Sequence, residues 1–246
     1  MKNKKSLGQN WLYNRTILDE IASLAGDGGL CVEIGPGLGT LTSSLLKRFD
    51  KVVAVEFDER LAENLPKSFP GKNLEVINED ILKFDFSTIK EPYVVAGNIP
   101  YYITSPIIEK LLTVSNLPKR IVLLIQKEVA ERIMDEKETV LSLFVKNRAK
   151  VFPGPVVSRK EFTPPPKVDS QVIILEPKKP EVKDKVFKLI RIGFSAPRKK
   201  LLSNLSVLKS RDELMNMFLD LGIDIDARPA DLSLSDWQNL YEIIMS

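Results

Sequence analysis

Short apolar runs alternate with segments of helical periodicity along the first part of the chain. Two of these runs, Val52–Val55 and Ile121–Ile125, are apolar at every position. A strand with one solvent-exposed face would alternate instead, so these runs predict strands that helices cover on both faces. Strands that alternate with helices predict an α/β fold with a mostly parallel, doubly wound sheet and right-handed crossovers.

The pattern changes near Pro177–Pro180, within EPKKPEVKDK, after which only helical spacing is found. The predicted strands are LCVEIGPG, KVVAVEFD, NLEVINED, YVVAGNIP, RIVLLIQKE and QVIILEP. The predicted helices of the first part are TLTSSLLKRF, ERLAENLPKSF, SPIIEKLLTVS and TVLSLFVKNRAKV. The sequence therefore predicts a sheet domain over residues 1–177 and a small helical domain over 178–246.

Composition excludes several classes of chemistry. The 246 residues contain no histidine, which excludes a histidine general base, a Ser-His-Asp triad and histidine-ligated metals. The single cysteine, Cys31, excludes an internal disulfide and a multi-cysteine zinc site, so we expect no metal. No apolar run approaches the roughly 20 residues of a membrane span, and MKNKKSLGQN lacks the apolar core of a signal peptide. We expect a cytoplasmic protein without membrane contact.

Polar groups and glycines follow four consecutive predicted strands. Gly35 and Gly37 lie in EIGPGLGT after the first strand, Glu56 ends the second, Asp80 the third and Asn98 the fourth. In an open parallel sheet, ligands bind beyond the carboxyl ends of the strands, so these residues should share one crevice. An acid at the position of Glu56 suits a ribose diol, and Asp80 could accept from an adenine amine. The G-x-G-x-G spacing is neither a dinucleotide fingerprint nor a P-loop.

The stretch AGNIPYYITSP suits a planar ligand that carries an amine. Asn98 offers a donor and an acceptor, Pro100 fixes the backbone, and Tyr101 offers a flat face. We expect Tyr102 to pack in the core. Cys31 lies within a strand, as a small buried hydrophobic residue does, and the absence of a Pro-Cys dipeptide argues against a cytosine carbon methylase.

Several motifs together resemble a known family. VEIGPGLGTLT, VEFDERL, NEDIL and GNIPYYI, in this order, are similar to S-adenosylmethionine-dependent methyltransferases and, more narrowly, to the ribosomal RNA adenine dimethyltransferases. LGQNWL resembles that family's G-Q-N-F-L, and FTPPPKVDS resembles its F-x-P-x-P-K-V-D-S. The similarity runs from Gly8 to Ser170 and continues in FSAPRKKLLSNL, whereas MDEKETVLSL is shorter and more charged than the family's loop.

The resemblance implies a Rossmann-like class I methyltransferase sheet that binds S-adenosylmethionine, with the helical domain recognising RNA or the ribosome. The implied cofactor contacts are Asn10 and Leu12 closing over the ligand, Gly35 and Gly37 passing close to its methionine part, Glu56 on the ribose, Asp80 and Ile81 on the adenine, and Asn98 beside the sulfonium. The target adenine would leave its stack and lie between Tyr101 and Phe162. The Asn98 oxygen and the carbonyl of Ile99 or Pro100 would accept both hydrogens of its amine.

The implied substrate is a pair of adjacent adenines near the 3′ end of small-subunit (16S) ribosomal RNA, naked or in a pre-30S particle, and the enzyme is expected to be a monomer. Arg198, Lys199 and Lys200 are expected to engage the RNA backbone, with KNKK and Lys119–Arg120 extending this surface. The alternatives are a large-subunit adenine methylase, a ribosome-assembly factor that acts mainly by binding, and a nicotinamide oxidoreductase. The glycine spacing argues against the oxidoreductase.

Overall fold

Seven strands of the computed structural model, which describes residues 10–245, form one sheet, and two short strands pair separately. The strands are β1 (Trp11–Leu12), β2 (Leu30–Ile34), β3 (Lys51–Glu56), β4 (Leu74–Asn78), β5 (Tyr93–Asn98), β6 (Ile121–Gln126), β7 (Ala149–Val157), β8 (Phe162–Thr163) and β9 (Ser170–Pro177). The order in the sheet is β4-β3-β2-β5-β6-β9-β7, while β1 pairs with β8.

The helices lie between strands in the first part of the chain and follow one another without intervening strands in the last part. They are α1 (Arg15–Ala25), α2 (Thr42–Leu45), α3 (Glu59–Asn64), α4 (Thr104–Leu111), α5 (Lys127–Met134), α6 (Val140–Arg148), α7 (Asp184–Gly193), α8 (Leu201–Leu205), α9 (Arg211–Asp220) and α10 (Leu234–Met245). No helix within residues 10–245 is both long and apolar enough to cross a bilayer.

The register of the parallel strands brings their carboxyl ends together at the same end of the sheet. Strands β4, β3, β2, β5 and β6 are parallel, and β9 runs antiparallel to β6. Ile34, the last residue of β2, lies beside Val55 of β3 and Gly97 of β5. All of β2 is buried, as the unbroken apolar runs indicate. The predicted α/β class with a helical C-terminal part is confirmed.

The pattern did not predict strand β7, because it contains VFPGP. Proline lacks the N–H that a central strand needs, and β7 forms the edge of the sheet next to β9. Gly154 lets the two strands approach, since a Cβ there would lie 2.7 Å from the Cβ of Val172 in β9.

The described residues divide into two compact units, and the division differs from the predicted one in a single segment. One unit contains the residues up to Ala130 together with Lys150–Pro177, and the other contains Glu131–Ala149 together with the residues from Lys178 onward. Helix α6, predicted to belong to the first domain, therefore packs with the helical unit.

Two side chains at the end of α6 explain this packing. Asn147 is fully buried, and its Oδ1 accepts from the N–H groups of Glu181 and Val182 at 2.8 and 2.9 Å while its Nδ2 donates to the Val182 carbonyl. The Arg148 guanidinium lies 4.2 Å from the centre of the Phe144 ring and 5.3 Å from that of Phe187. These contacts join α6 to the segment that begins α7.

Asn147→Ala should lower the free energy of unfolding by about 3 kcal/mol, because it leaves the buried N–H and carbonyl of Val182 without their partner and removes an acceptor of the Glu181 N–H. Urea titration followed by circular dichroism measures the change. Asn64→Ala serves as the control, since Asn64 makes its contacts at the surface and should change stability by no more than about 0.5 kcal/mol. Equal stability of the two variants would contradict this role of Asn147.

Candidate active site

A cleft of about 240 Å³ opens at the carboxyl ends of β2, β3, β4 and β5. Its walls include Gly35, Glu56, Asp80 and Asn98, one group from the end of each strand. The expected convergence of these four positions is therefore found in the structure. Asp80 lies two residues beyond the end of β4, in a turn, rather than at the end of the strand.

The loop after β2 needs its glycines. Gly35 has a φ of +63° and donates its N–H to the Val55 carbonyl at 2.9 Å. Gly37 has a φ of +58°, and a Cβ there would lie 3.1 Å from the indole nitrogen of Trp11. A side chain at Gly37 would enter the cleft against Trp11, so glycine keeps the backbone open to a ligand.

The Glu56 carboxylate fastens this loop. One of its oxygens accepts from the Gly37 N–H at 3.0 Å, and the other accepts from the Asp58 N–H at 2.8 Å. Glu56 is almost fully buried. Burial raises its pKa, and the hydrogen bonds from the Asp58 and Gly37 N–H groups oppose that shift. Each carboxylate oxygen has a second lone pair, so Glu56 can still accept from a ligand hydroxyl.

The loop after β4 forms another part of the cleft wall. The Asp80 carboxylate accepts from the Leu82 N–H at 2.9 Å, and Ile81 is buried while lining the cleft. Lys110 on α4 donates from Nζ to the Leu82 carbonyl at 2.8 Å and so ties this loop to α4. Burial lowers the pKa of Lys110, and the nearby Glu79 and Asp80 carboxylates oppose the shift. No motif pointed to Lys110.

The Asn98 side chain is held at the end of β5. Its Nδ2 donates to the Asn10 carbonyl at 3.1 Å, which leaves Oδ1 as the acceptor of the amide. The Tyr101 hydroxyl lies 2.7 Å from Ser170 Oγ, and burial raises the Tyr101 pKa. Asn10, Pro100 and Tyr101 all line the cleft, as expected.

Leu12 and Phe162 are the two predicted cleft residues whose side chains do not line the cleft. Leu12 and Phe162 face each other in the β1–β8 pair, and both are buried in the hydrophobic core, at 0% and 3% exposure. Neither side chain lines the cleft. Successive residues of a strand point to opposite sides, so Trp11, the neighbour of Leu12, reaches the cleft instead. Trp11 is a site residue that the sequence analysis missed.

Tyr102 also corrects an expectation. It was expected in the core, but it is 63% exposed and lines the cleft. Phe57, which follows Glu56, is exposed to the same extent and lines the cleft as well. Phe57 directly follows β3 and Tyr102 lies within the short 3-10 turn Tyr101–Ile103, and neither position belongs to a periodic pattern that would show the direction of its ring.

Glu33 is a second missed residue. It lies on β2 within VEIGPG, is 1% exposed and lines the cleft, and its Oε2 has no hydrogen-bond partner among the described residues. Burial raises the pKa of Glu33 to about 8, while the neighbouring Thr42 opposes the shift. A pKa of about 8 keeps most of this carboxyl group protonated at neutral pH.

The basic residues predicted to contact RNA are placed as follows. Arg198, Lys199 and Lys200 are exposed in the helical unit between α7 and α8, and Lys200 pairs with Asp226. Lys119 and Arg120 immediately precede β6, at its amino end, whereas the cleft lies at the carboxyl ends of the strands. Arg120 pairs with Glu176 at 2.6 Å. The KNKK segment lies outside the described residues.

Comparison with known proteins decides the family. The family model described as "Ribosomal RNA adenine dimethylase" matches residues 1–246. The chain belongs to the ribosomal RNA adenine dimethylase family. It is an enzyme, an S-adenosylmethionine-dependent adenine dimethyltransferase, and its sheet is of the class I methyltransferase type.

Individual relatives cover nearly the whole chain. A protein named ribosomal RNA small subunit methyltransferase A from Caldanaerobacter subterraneus subsp. tengcongensis is 40% identical, over 98% of this chain and 96% of its own. The protein of that name from Mycoplasma mycoides subsp. mycoides is 34% identical over 99% of this chain and 98% of its own.

Two solved structures are also similar to this chain. The dimethyladenosine transferase from Plasmodium falciparum has a TM-score of 0.79 and 32% identity, covering 93% of this chain and 95% of its own. The 23S rRNA methyltransferase ErmE has a TM-score of 0.75 and 26% identity, covering 96% and 100%.

Glu33→Gln should change how stability depends on pH. The folded protein keeps the Glu33 proton up to about pH 8, whereas the unfolded chain releases it near its ordinary value of 4.5. Between these values only the folded state binds the proton, so rising pH destabilises the native protein by as much as about 1.4 kcal/mol per pH unit. The Gln variant lacks this penalty.

Urea titrations of the ligand-free protein at several pH values measure the effect. The stability of the Gln variant relative to the native protein should rise between about pH 5 and 8 and then level off. Glu63→Gln, at an exposed position, should give a curve parallel to that of the native protein. A parallel curve for Glu33→Gln as well would show that Glu33 is ionised in the folded state.

Proposed function

We propose that this enzyme dimethylates the exocyclic amines of two adjacent adenines near the 3′ end of small-subunit ribosomal RNA, in the cytoplasm, as a monomer acting on a pre-30S particle. The proposal is supported by relatives at 34–40% identity that are named small-subunit methyltransferases. The observation that carries the chemistry is the cleft in which Glu56, Asp80 and Asn98 meet.

The residues present fit S-adenosylmethionine. The acceptors of Glu56 and Asp80 suit the hydroxyls of a ribose and the amine of an adenine, and Ile81, Phe57 and Leu82 add apolar surface to the cleft. Gly35 and Gly37 leave the backbone bare beneath the ligand. Asn10 and Trp11 cover the cleft from the amino-terminal side. When bound, S-adenosylmethionine supplies a methyl group activated by a sulfonium.

The lone pair of the adenine amine is delocalised into the purine ring. The protein must therefore hold the amine so that this lone pair points at the methyl group. We assign Asn98 Oδ1 as the first acceptor for the amine hydrogens, because Nδ2 is already used by the Asn10 carbonyl. The Ile99 carbonyl is the second, since the Pro100 carbonyl already accepts from the Ile103 N–H at 3.3 Å. Two acceptors stabilise the positive charge that develops on nitrogen.

No strong base is needed in this mechanism. The amine becomes acidic once it is methylated, and water can remove its proton. Tyr101 offers a ring at the cleft wall, and the phenol stays protonated because burial raises its pKa. The ring of Phe162 is buried in the core, so Tyr101 is the predicted stacking residue that the cleft presents to the adenine.

The decisive experiment is transfer of labelled methyl groups to small and large ribosomal subunits that lack these modifications, followed by mapping of the labelled bases. We expect dimethyladenosine at two adjacent positions of small-subunit RNA. Label confined to large-subunit RNA would instead favour the alternative function of a large-subunit adenine methylase.

Asn98→Ala should lower kcat by about 100-fold or more, which is the range seen when one transition-state hydrogen bond is removed. Asn64→Ala, at the surface of α3, should retain full activity. Loss of methylation with normal particle maturation in Asn98→Ala would separate an assembly role from catalysis. An unchanged kcat would contradict the role assigned to Asn98.

We also propose that Arg198, Lys199 and Lys200 contact phosphates of the ribosomal RNA. Replacing all three with alanine should weaken RNA binding and lower the slope of log K against log salt by about 2–3, because each phosphate contact releases a counterion.

The control for this variant removes three charges elsewhere. Lys67, Lys72 and Lys90 are exposed. They precede β4 or β5, at the amino ends of these strands and away from the cleft, and we call them the strand-start lysines. Their replacement should leave the slope nearly unchanged. The same slope for both triple variants would remove Arg198–Lys200 from the RNA surface.

A further inference from the structure

We propose that the loop formed by residues 158–169, together with two exposed tyrosines, binds the unpaired RNA strand on either side of the target adenine. We call this segment the rim loop. The inference rests on the proposed function and extends it. It names a surface in the sheet unit whose ligand is the RNA strand beside the target base, and not the cofactor or the target base itself.

The rim loop is fastened to the wall of the cleft. Thr163 of β8 pairs with Trp11 of β1, and Trp11 lines the cleft. Asn14 donates from Nδ2 to the Glu161 carboxylate at 2.9 Å. At the end of the loop, Ser170 Oγ lies 2.7 Å from the hydroxyl of Tyr101. A ligand that fills the cleft and extends beyond it would therefore meet this loop.

The cationic groups of the rim loop are available to an anion. Arg159, Lys160 and Lys167 are exposed, and none of them forms an ion pair within the part of the chain that the structure describes. The two acids of the loop are engaged by neutral donors instead. Glu161 accepts from Asn14, and Asp169 accepts from the Arg159 N–H at 2.9 Å.

The arrangement also holds the cations apart from these acids. The Arg159 guanidinium donates to the Lys167 carbonyl at 3.3 Å, which brings the two ends of the loop together. Three positive charges with no carboxylate partner suit the phosphates of a nucleic acid backbone.

Two exposed tyrosines flank the same region. Tyr102 is 63% exposed at the cleft wall, and Tyr13 is 51% exposed, with its N–H donating to the Glu161 carbonyl. Exposed aromatic rings beside free cations are typical of surfaces that bind single-stranded nucleic acid, where bases stack and phosphates pair. A target adenine can enter the cleft only from an unpaired or opened strand, so an unpaired strand is the partner that fits.

The experiment measures binding of a fluorescein-labelled, single-stranded oligoribonucleotide of about ten nucleotides with two adjacent central adenines, at several salt concentrations. The first variant is R159Q/K160Q/K167Q, and the charge-matched control replaces the strand-start lysines with Gln. The second variant is Tyr102→Ala, with Tyr102→Phe as its conservative partner. Binding of S-adenosylhomocysteine by calorimetry checks that each charge variant is folded.

The two variants should differ in how they lose affinity. The charge variant should lower the slope of log K against log salt by about 2, the value for three contacts to a single strand. Tyr102→Ala should weaken binding by about 5- to 150-fold with the slope unchanged, and Tyr102→Phe should restore it.

Several results would overturn the proposal. One is a charge variant with the slope of its control, and another is a Tyr102→Ala variant with native affinity. A charge variant that still binds the oligonucleotide but no longer binds ribosomal particles would mean that the loop faces a protein. This experiment can fail independently of the mapping experiment. If the native enzyme methylates small subunits but both the charge variant and Tyr102→Ala bind RNA as the native enzyme does, only the inference about the rim loop is wrong.

Discussion

The Glu56 carboxylate is the group on which the geometry of the cleft depends. It ends β3, yet it accepts from the Gly37 N–H in the loop after β2 and from the Asp58 N–H in its own turn. One side chain thus fixes two neighbouring strand ends. The glycine loop turns with positive φ and has few other partners, so without Glu56 its N–H would face the cleft unpaired. Ligand binding and loop conformation are therefore tied to the same carboxylate.

Much of the fold could be predicted because it depends on patterns that are local in the sequence. Unbroken apolar runs marked β3 and β6, and parallel pairing then required the groups after successive strands to meet. The edge strand β7 escaped prediction because Pro153 and Pro155 remove the signal that marks a strand. The position of α6 escaped as well, because it is decided by the contacts of Asn147 and Arg148 with residues far along the chain.

The site was predicted well where a residue follows a long strand, and poorly where short strands decide the direction of a side chain. Strands β1 and β8 contain two residues each, and their pairing joins positions some 150 residues apart. Whether Trp11 or Leu12 faces the cleft depends on that register, and so does the burial of Phe162. The family motif identifies these residues in the sequence, but only the β1–β8 pairing shows which side chains point to the cleft and which to the core. Tyr102 lies outside any periodic segment of the sequence. Lys110 lies in the predicted helix SPIIEKLLTVS, but no motif shows that its side chain reaches the loop after β4.

The chain contains no histidine, and the groups that we assign to the adenine amine act on it by position and not by proton abstraction. The acceptors in the cleft are an amide oxygen and backbone carbonyls, which do not titrate near neutrality, and the Tyr101 phenol is kept protonated by burial. Glu33, whose pKa burial raises to about 8, lines the same cleft, but the amide and carbonyl oxygens assigned to the adenine amine do not depend on its proton. These acceptors meet what a transfer driven by the leaving group of a sulfonium requires, because the nucleophile needs orientation and charge stabilisation but no base of its own.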